Sequence, residues 1–210
     1  MHSHGRLTIV AGVVLCVGTA CQRDTGDAPD QRRADTATAA NPTSNACAPN
    51  GRVPAVTSAG IGVARIGAAV REVAQTCTTR DTTFTLGEGI DETGAVIEFA
   101  GHRVLSIVAN GSITRLIVAD SAFRTERGLG VGSTVGQLRE AYGRLCGAVG
   151  EGTVAVWLAG LPNVSFGLDT RLSSLPGSGS RLGDDPSVIP DTARVTSLWV
   201  IAEGVPCGGS

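Results

Sequence analysis

Residues 131–138, VGSTVGQL, restate the pattern of residues 66–73, IGAAVREV, which lie 65 positions earlier. In both stretches an apolar residue and a glycine lead into a short run whose apolar residues are three apart. Val135 and Leu138 show this spacing in the later stretch, and it places both side chains on one face of a helix. The sequence therefore predicts a short helix at each of the two equivalent positions.

The later helix also carries a start signal. Thr134 and Gln137 have the spacing of a capping box, in which each side chain binds a backbone N–H of the other residue. The preceding residues 128–134, GLGVGST, are glycine-rich but lack the lysine of a phosphate-binding loop, and the chain contains no lysine. We interpret this stretch as a tight turn that feeds the helix.

Three strand-like segments follow each helix in the same order. Residues 96–101 align with 155–160, residues 105–107 with 164–166, and residues 113–118 with 195–200. Asn110 and Gly111 separate two β-branched runs and predict a tight hairpin. We therefore predict an α+β fold of two tandem helix-plus-three-strand antiparallel units, which share one sheet and place their helices on one face.

The second copy contains an insertion, residues 171–192, rich in Gly, Ser, Pro and Asp. Loops of this length inside a compact domain are often either functional or disordered. We hypothesise that the insertion shapes a surface that faces a partner.

The amino terminus has the pattern of an export signal. Residues 7–17 are nearly all apolar, a run too short to span a membrane but suited to the core of a signal peptide. Small residues then precede Cys21, a pattern that resembles the bacterial lipobox. The resemblance implies that residues 1–20 are removed and that Cys21 carries a lipid. Gly18 stands where a lipobox usually has leucine, so cleavage without a lipid, and hence secretion, is the alternative.

Composition divides the mature chain into a tether and a domain. Residues 21–50 have almost no large apolar side chains, which predicts a lipid anchor followed by a disordered linker. Residues 51–207 form the predicted domain, with repeats at about 60–120 and 126–203. By resemblance to lipoproteins of bacteria with two membranes, Gln22 implies an outer-membrane location facing the periplasm.

The two helix openings at residues 66–73 and 131–138 resemble those of the tandem αβ repeats in β-lactamase inhibitory proteins. They are also similar to the single unit of small outer-membrane assembly lipoproteins. The resemblance implies the architecture of residues 61–201. The aromatic concave face of those inhibitors has few counterparts here beyond Tyr142, Trp157 and Trp199, so inhibition is not implied.

Four cysteines remain after the signal peptide and the lipidated residue: Cys47, Cys77, Cys146 and Cys207. An even number in an exported protein predicts disulfides. Three pairings are possible, and we favour Cys47–Cys77 with Cys146–Cys207 because each closes a loop local to one repeat. A metal site is not expected, since the mature chain has no CxxC motif and retains only His102.

No reactive constellation emerges from the motifs. His102 could act as a general base with Ser106 or Asp120, but no nucleophile or paired-carboxylate signature accompanies it. The acidic clusters Glu88, Asp91 and Glu92, and Asp184 and Asp185, lack the spacing of a calcium loop. We therefore predict no catalytic, cofactor-binding or metal-binding residues.

These observations favour a non-enzymatic envelope protein that binds another envelope or extracellular protein or supports assembly. The formal net charge of −2 argues against a nucleic-acid partner. The alternative is a small-molecule or lipid carrier or sensor of the cell envelope. An enclosed apolar pocket would favour the carrier, whereas a shallow sheet face bearing exposed tryptophan or tyrosine would favour protein binding.

Overall fold

The computed structural model describes residues 44–85, 89–150, 153–171, 175 and 186–202. The predicted anchor at Cys21 and most of the predicted linker therefore lie outside the described residues. So do Glu88, Asp184 and Asp185, and most of the insertion. Within the described part, no helix is both long enough and apolar enough to cross a membrane.

The described chain begins with helix α1 and a small sheet. Helix α1 spans Ser44–Cys47, and a 3₁₀ turn follows at Pro49–Gly51. The strands of the small antiparallel sheet are β1 (Val56–Thr57), β2 (Gly60–Ile61) and β3 (Ala64–Arg65). Composition assigned residues 44–50 to the linker, yet Cys47 and Ala48 are each only 4% exposed.

A large antiparallel sheet of eight strands makes up most of the fold. Its first four strands are β4 (Thr78–Thr85), β5 (Asp91–Phe99), β6 (His102–Ala109) and β7 (Ser112–Val118). The remaining strands are β8 (Leu145–Gly150), β9 (Thr153–Leu158), β10 (Leu161–Arg171) and β11 (Val195–Ile201). Helix α2 (Val70–Val73) precedes β4, and helix α3 (Val135–Tyr142) precedes β8.

The order of the strands is β4-β5-β6-β7-β11-β10-β9-β8. Two four-stranded meanders therefore meet where β7 pairs antiparallel with β11. The prediction of an α+β fold built from helix-plus-three-strand units is wrong, because the structure is mostly β and each meander has four strands.

One strand in each half, β4 or β8, was not predicted from the sequence, and its residues explain why. Strand β4 reads TTRDTTFT, and its side chains are exposed or half-buried throughout. Strand β8 reads LCGAVG, with two glycines among six residues. Neither segment has the apolar alternation of a half-buried strand. The pairing with a neighbouring strand, and not local pattern, holds both segments extended.

One face of the large sheet forms the core. Side chains of directly opposed residues lie on the same face of an antiparallel pair. Ile97 lies opposite Val104, and Leu116 lies opposite Val200; all four are fully buried. The helices close this inner face, with Val73 of α2 and Val135 and Leu138 of α3 in the same buried cluster.

Two local predictions are confirmed. Asn110 and Gly111 both have positive φ and join β6 to β7 as a two-residue hairpin. Thr134 caps α3: its Oγ1 accepts from the Gln137 backbone N–H at 3.3 Å, and the Gln137 side chain accepts from the Thr134 N–H at 2.9 Å. These are the two bonds of a capping box.

Covalent and ionic links tie the ends of the fold to the sheet. Cys47 is disulfide-bonded to Cys77, the pairing favoured from the sequence. Cys146 on β8 is also disulfide-bonded, and its predicted partner Cys207 lies outside the described residues. Arg139 of α3 holds the end of the insertion through an ion pair of 2.9 Å to Asp191.

Candidate functional site

A transverse row of apolar side chains crosses the outer face of the large sheet, the face opposite the core. Strand register establishes this row, because each member lies directly opposite the next. Val96 opposes Leu105, and Leu105 opposes Ile117. Ile117 opposes Trp199, and Ser165 lies between Trp199 and Trp157. We call these six residues the outer row: Val96, Leu105, Ile117, Trp199, Ser165 and Trp157.

The outer row departs from the usual pattern of a half-solvated sheet. In such sheets the strands alternate apolar and polar residues, with the polar residues facing water. Here all the members except Ser165 are apolar or aromatic, and these five are half-buried. This contiguous apolar stripe is therefore a candidate interaction surface.

Both tryptophans of the chain belong to the outer row. Trp199 lies on β11 and Trp157 on β9, with Ser165 of β10 between them. Their backbones are separated by two strand spacings, about 10 Å. Ser165 is only 5% exposed, and its small side chain lies between the positions of the two tryptophans.

Trp199 is held in a defined orientation. Its indole N–H donates to Ser197 Oγ at 3.1 Å, and the Arg115 guanidinium carbon lies 5.3 Å from the ring centroid. The cation–π contact and the hydrogen bond restrict the rotamers of both side chains. Tryptophan and arginine are the residues most enriched at the energetic centres of protein interfaces.

The indole N–H of Trp157 is buried, and within the described residues it donates to no acceptor. An unsatisfied buried donor costs about 1–3 kcal/mol, so native structures rarely retain one without a reason.

The apolar surface continues toward β4 through Phe84. The Phe84 ring lies over Gly94, where an added Cβ would come within 2.5 Å of a ring carbon. Gly94 therefore gives the ring its place on the outer face. Charged residues border this region, with Arg103 directly opposite Glu98 and Arg80 opposite Val96.

His102, the candidate general base, pairs with Asp120 in the structure. His102 Nδ1 lies 2.8 Å from Asp120 Oδ2, and both side chains are more than a third exposed. Ser106 is four residues along the same strand, about 13 Å away, and it donates to the Ala95 carbonyl at 2.8 Å. Within the described residues, His102 therefore has an acid partner but forms no hydrogen bond to a hydroxyl.

The carboxyl of Asp120 has a lowered pKa. The Ala122 backbone N–H donates to it at 2.8 Å, and His102 adds a second hydrogen bond. Both contacts favour the ionised carboxylate. They fix the connection that follows β7, so a role in local structure explains the pair.

Replacing Asp120 with asparagine should lower stability at pH 7 by a small amount, because the exposed site is screened by water. A carboxyl whose folded-state pKa is depressed contributes stability above its unfolded pKa and loses it as the pH falls through the folded value. Urea unfolding should therefore show the difference between wild type and Asp120→Asn shrinking as the pH falls below about 4. A difference that stayed constant through this range would contradict the assignment.

Two hollows accompany the sheet. One, of about 420 Å³, lies beside α2 and β4 and is lined by Arg71, Asp81, Thr93 and Ser112 among others. The other, of about 460 Å³, lies between the end of β10 and the residues that precede β11. Neither surrounds the outer row.

The predicted acidic clusters form no metal site in the described part of the chain, where no group of three or more potential ligands comes together. Asp91 instead accepts a hydrogen bond from the Thr85 hydroxyl at 2.6 Å. This bond joins the ends of β4 and β5.

Trp157 and Trp199 could be named from the sequence as surface candidates, but the other members of the outer row could not. Val96, Leu105 and Ile117 sit in strands whose neighbouring residues are also apolar, so alternation does not reveal which set faces outward. The register between strands is needed to place them with the tryptophans.

Comparisons with known proteins identify no family for this chain. No protein-family model matches the chain, and no curated protein matches it. Among solved structures, the chain is similar to the uncharacterized protein yfeY from Escherichia coli, at 16% identity and a TM-score of 0.46. The match covers 71% of this chain and 99% of that one.

Proposed function

We propose that this chain is an exported, lipid-anchored envelope protein whose domain binds another envelope or extracellular protein and performs no catalysis. Its binding surface is the outer row. In a host with two membranes, the anchor at Cys21 places the domain on the periplasmic side of the outer membrane. The Cys47–Cys77 disulfide fits an exported protein, because such bonds persist in oxidising compartments.

One observation carries the proposal: both tryptophans share a half-buried apolar row with Leu105 and Ile117 on the sheet face opposite the core. A shallow apolar face bordered by charges suits a protein partner, whose interface combines an apolar centre with a polar rim. A carrier would instead enclose its ligand in a concave, mostly apolar pocket.

Site-specific photocrosslinking in the native envelope tests the proposal. A photoreactive phenylalanine analogue is placed at Leu105 or at Ile117, and Glu140, exposed on α3, is the matched control position. We expect one defined protein adduct in the membrane fraction from the two outer-row positions and none from position 140. Adducts of equal yield at all three positions, or adducts with lipid alone, would overturn it.

A further inference from the structure

Among the residues that the structure describes, strand β4 is an open edge of the large sheet. It lies at one end of the strand order and pairs with β5 from Thr78 opposite Glu98 to Thr85 opposite Asp91, without a register shift. The side chains along β4 are exposed or half-buried. One row of its backbone N–H and C=O groups therefore faces away from the sheet, a template on which another strand can pair.

This edge has only part of the usual protection against strand pairing. Natural proteins blunt edges with proline, charged side chains, bulges or short strands. Strand β4 is eight residues long, has no proline and no bulge, and carries two charges, Arg80 and Asp81, which disfavour pairing with a strand that cannot complement them. At the opposite end of the sheet, the Pro186–Val188 turn and α3 both lie close to β8.

We infer that β4 accepts an extended segment of another protein as an added strand. Backbone hydrogen bonds would supply affinity in this mode, and side-chain contacts on both faces would supply specificity. The edge adjoins the outer row, because Arg80 lies opposite Val96, but the inference concerns the backbone of β4 and does not rest on the proposed function.

Two adjacent charges define the segment that fits. Arg80 points to the outer face and Asp81 to the inner face, because successive residues alternate. Within the described residues neither makes an ion pair. An incoming strand that places an acid opposite Arg80 and a base opposite Asp81 satisfies both charges. Since every pair in this sheet is antiparallel, the basic residue immediately precedes the acidic one.

A second copy of this chain fits the edge poorly. Two identical edge strands pair antiparallel about an axis perpendicular to the sheet, which keeps each residue on its own face. Arg80 of one copy can then oppose only Thr78, Arg80, Thr82 or Phe84 of the other. The two charges never meet, so the complementary occupant is a different polypeptide.

Two synthetic peptides test the inference with the full-length chain: Thr-Val-Thr-Lys-Glu-Thr-Val-Thr and its isomer with the central Glu-Lys order. Their flanks are identical, so they differ only in the order of charge. We expect fluorescence anisotropy to show the Lys-Glu peptide binding roughly fivefold more tightly, the effect of two cross-strand ion pairs. Failure of both peptides to bind at millimolar concentration would overturn the inference.

The double variant Arg80→Asp with Asp81→Arg is the matched control. Both positions are exposed, so the variant should fold, and its preference should switch to the Glu-Lys peptide. Hydrogen exchange gives a second readout, in which the Lys-Glu peptide should protect alternate amides along β4 and leave those of β7 unchanged. A preference that does not switch, or protection spread over the whole sheet, would contradict an added strand.

Discussion

Replacing Cys47 and Cys77 together with alanine should lower the free energy of unfolding by about 3–4 kcal/mol. The two cysteines are 30 residues apart, and cross-linking a loop of this length removes that much conformational entropy from the unfolded chain in the chain-entropy model. Both residues are at least 95% buried. Alanine avoids the buried hydroxyl that serine would introduce.

Urea unfolding of the oxidised wild type and the double variant measures this loss. The dependence of the unfolding free energy on urea should steepen in the variant, because its unfolded state exposes more surface. Reduced wild-type protein is a weaker comparison, since reduction also breaks the disulfide at Cys146. A loss below about 1 kcal/mol would show that the packing of α1, and not the covalent link, holds this region.

The position of the bond connects stability to the edge strand. Cys77 immediately precedes β4, and Cys47 closes α1. The bond therefore fixes the start of an edge strand whose side chains bury little surface. Loss of the bond should loosen β4 before the centre of the sheet, because local opening begins where few apolar contacts are made.

Features with short-range causes could be predicted from the sequence. The cap at Thr134, the hairpin at Asn110 and Gly111, and the Cys47–Cys77 pairing all depend on residues close in the chain or on local loops. Most of the predicted strands also fall where β-branched alternation placed them. In each of these cases the residue type itself restricts the backbone.

Features that depend on distant pairing could not be predicted. Strand β4 has no apolar pattern, and its extended form follows from eight opposed residues on β5. The predicted fold class was wrong for this reason, because each predicted unit lacked one of the four strands that the structure contains. The outer row was hidden for a related reason: Trp157 and Trp199 are 42 residues apart in the chain and meet through Ser165 only in the folded sheet.

Replacing Trp199 with alanine should weaken the binding of the captured partner about 100-fold. Trp199 lies near the middle of the outer row, and Ser197 and Arg115 already hold its ring in place. A preorganised aromatic anchor loses little conformational entropy on binding, so its removal costs more than its area alone suggests. Trp199→Phe keeps an aromatic ring and should retain more affinity than the alanine variant.

Calorimetry with the purified full-length chain measures these affinities, and urea unfolding separates them from changes in stability. The variant Glu140→Ala on α3 should bind like wild type, because its site lies away from the outer row. Arg115→Ala combined with Trp199→Ala should cost less than the sum of the single losses, since the two side chains stack on each other. An affinity of Trp199→Ala within threefold of wild type would show that the partner binds elsewhere on the domain. If, in addition, replacement of Arg80 caused a large loss of affinity, the β4 edge would be the main contact.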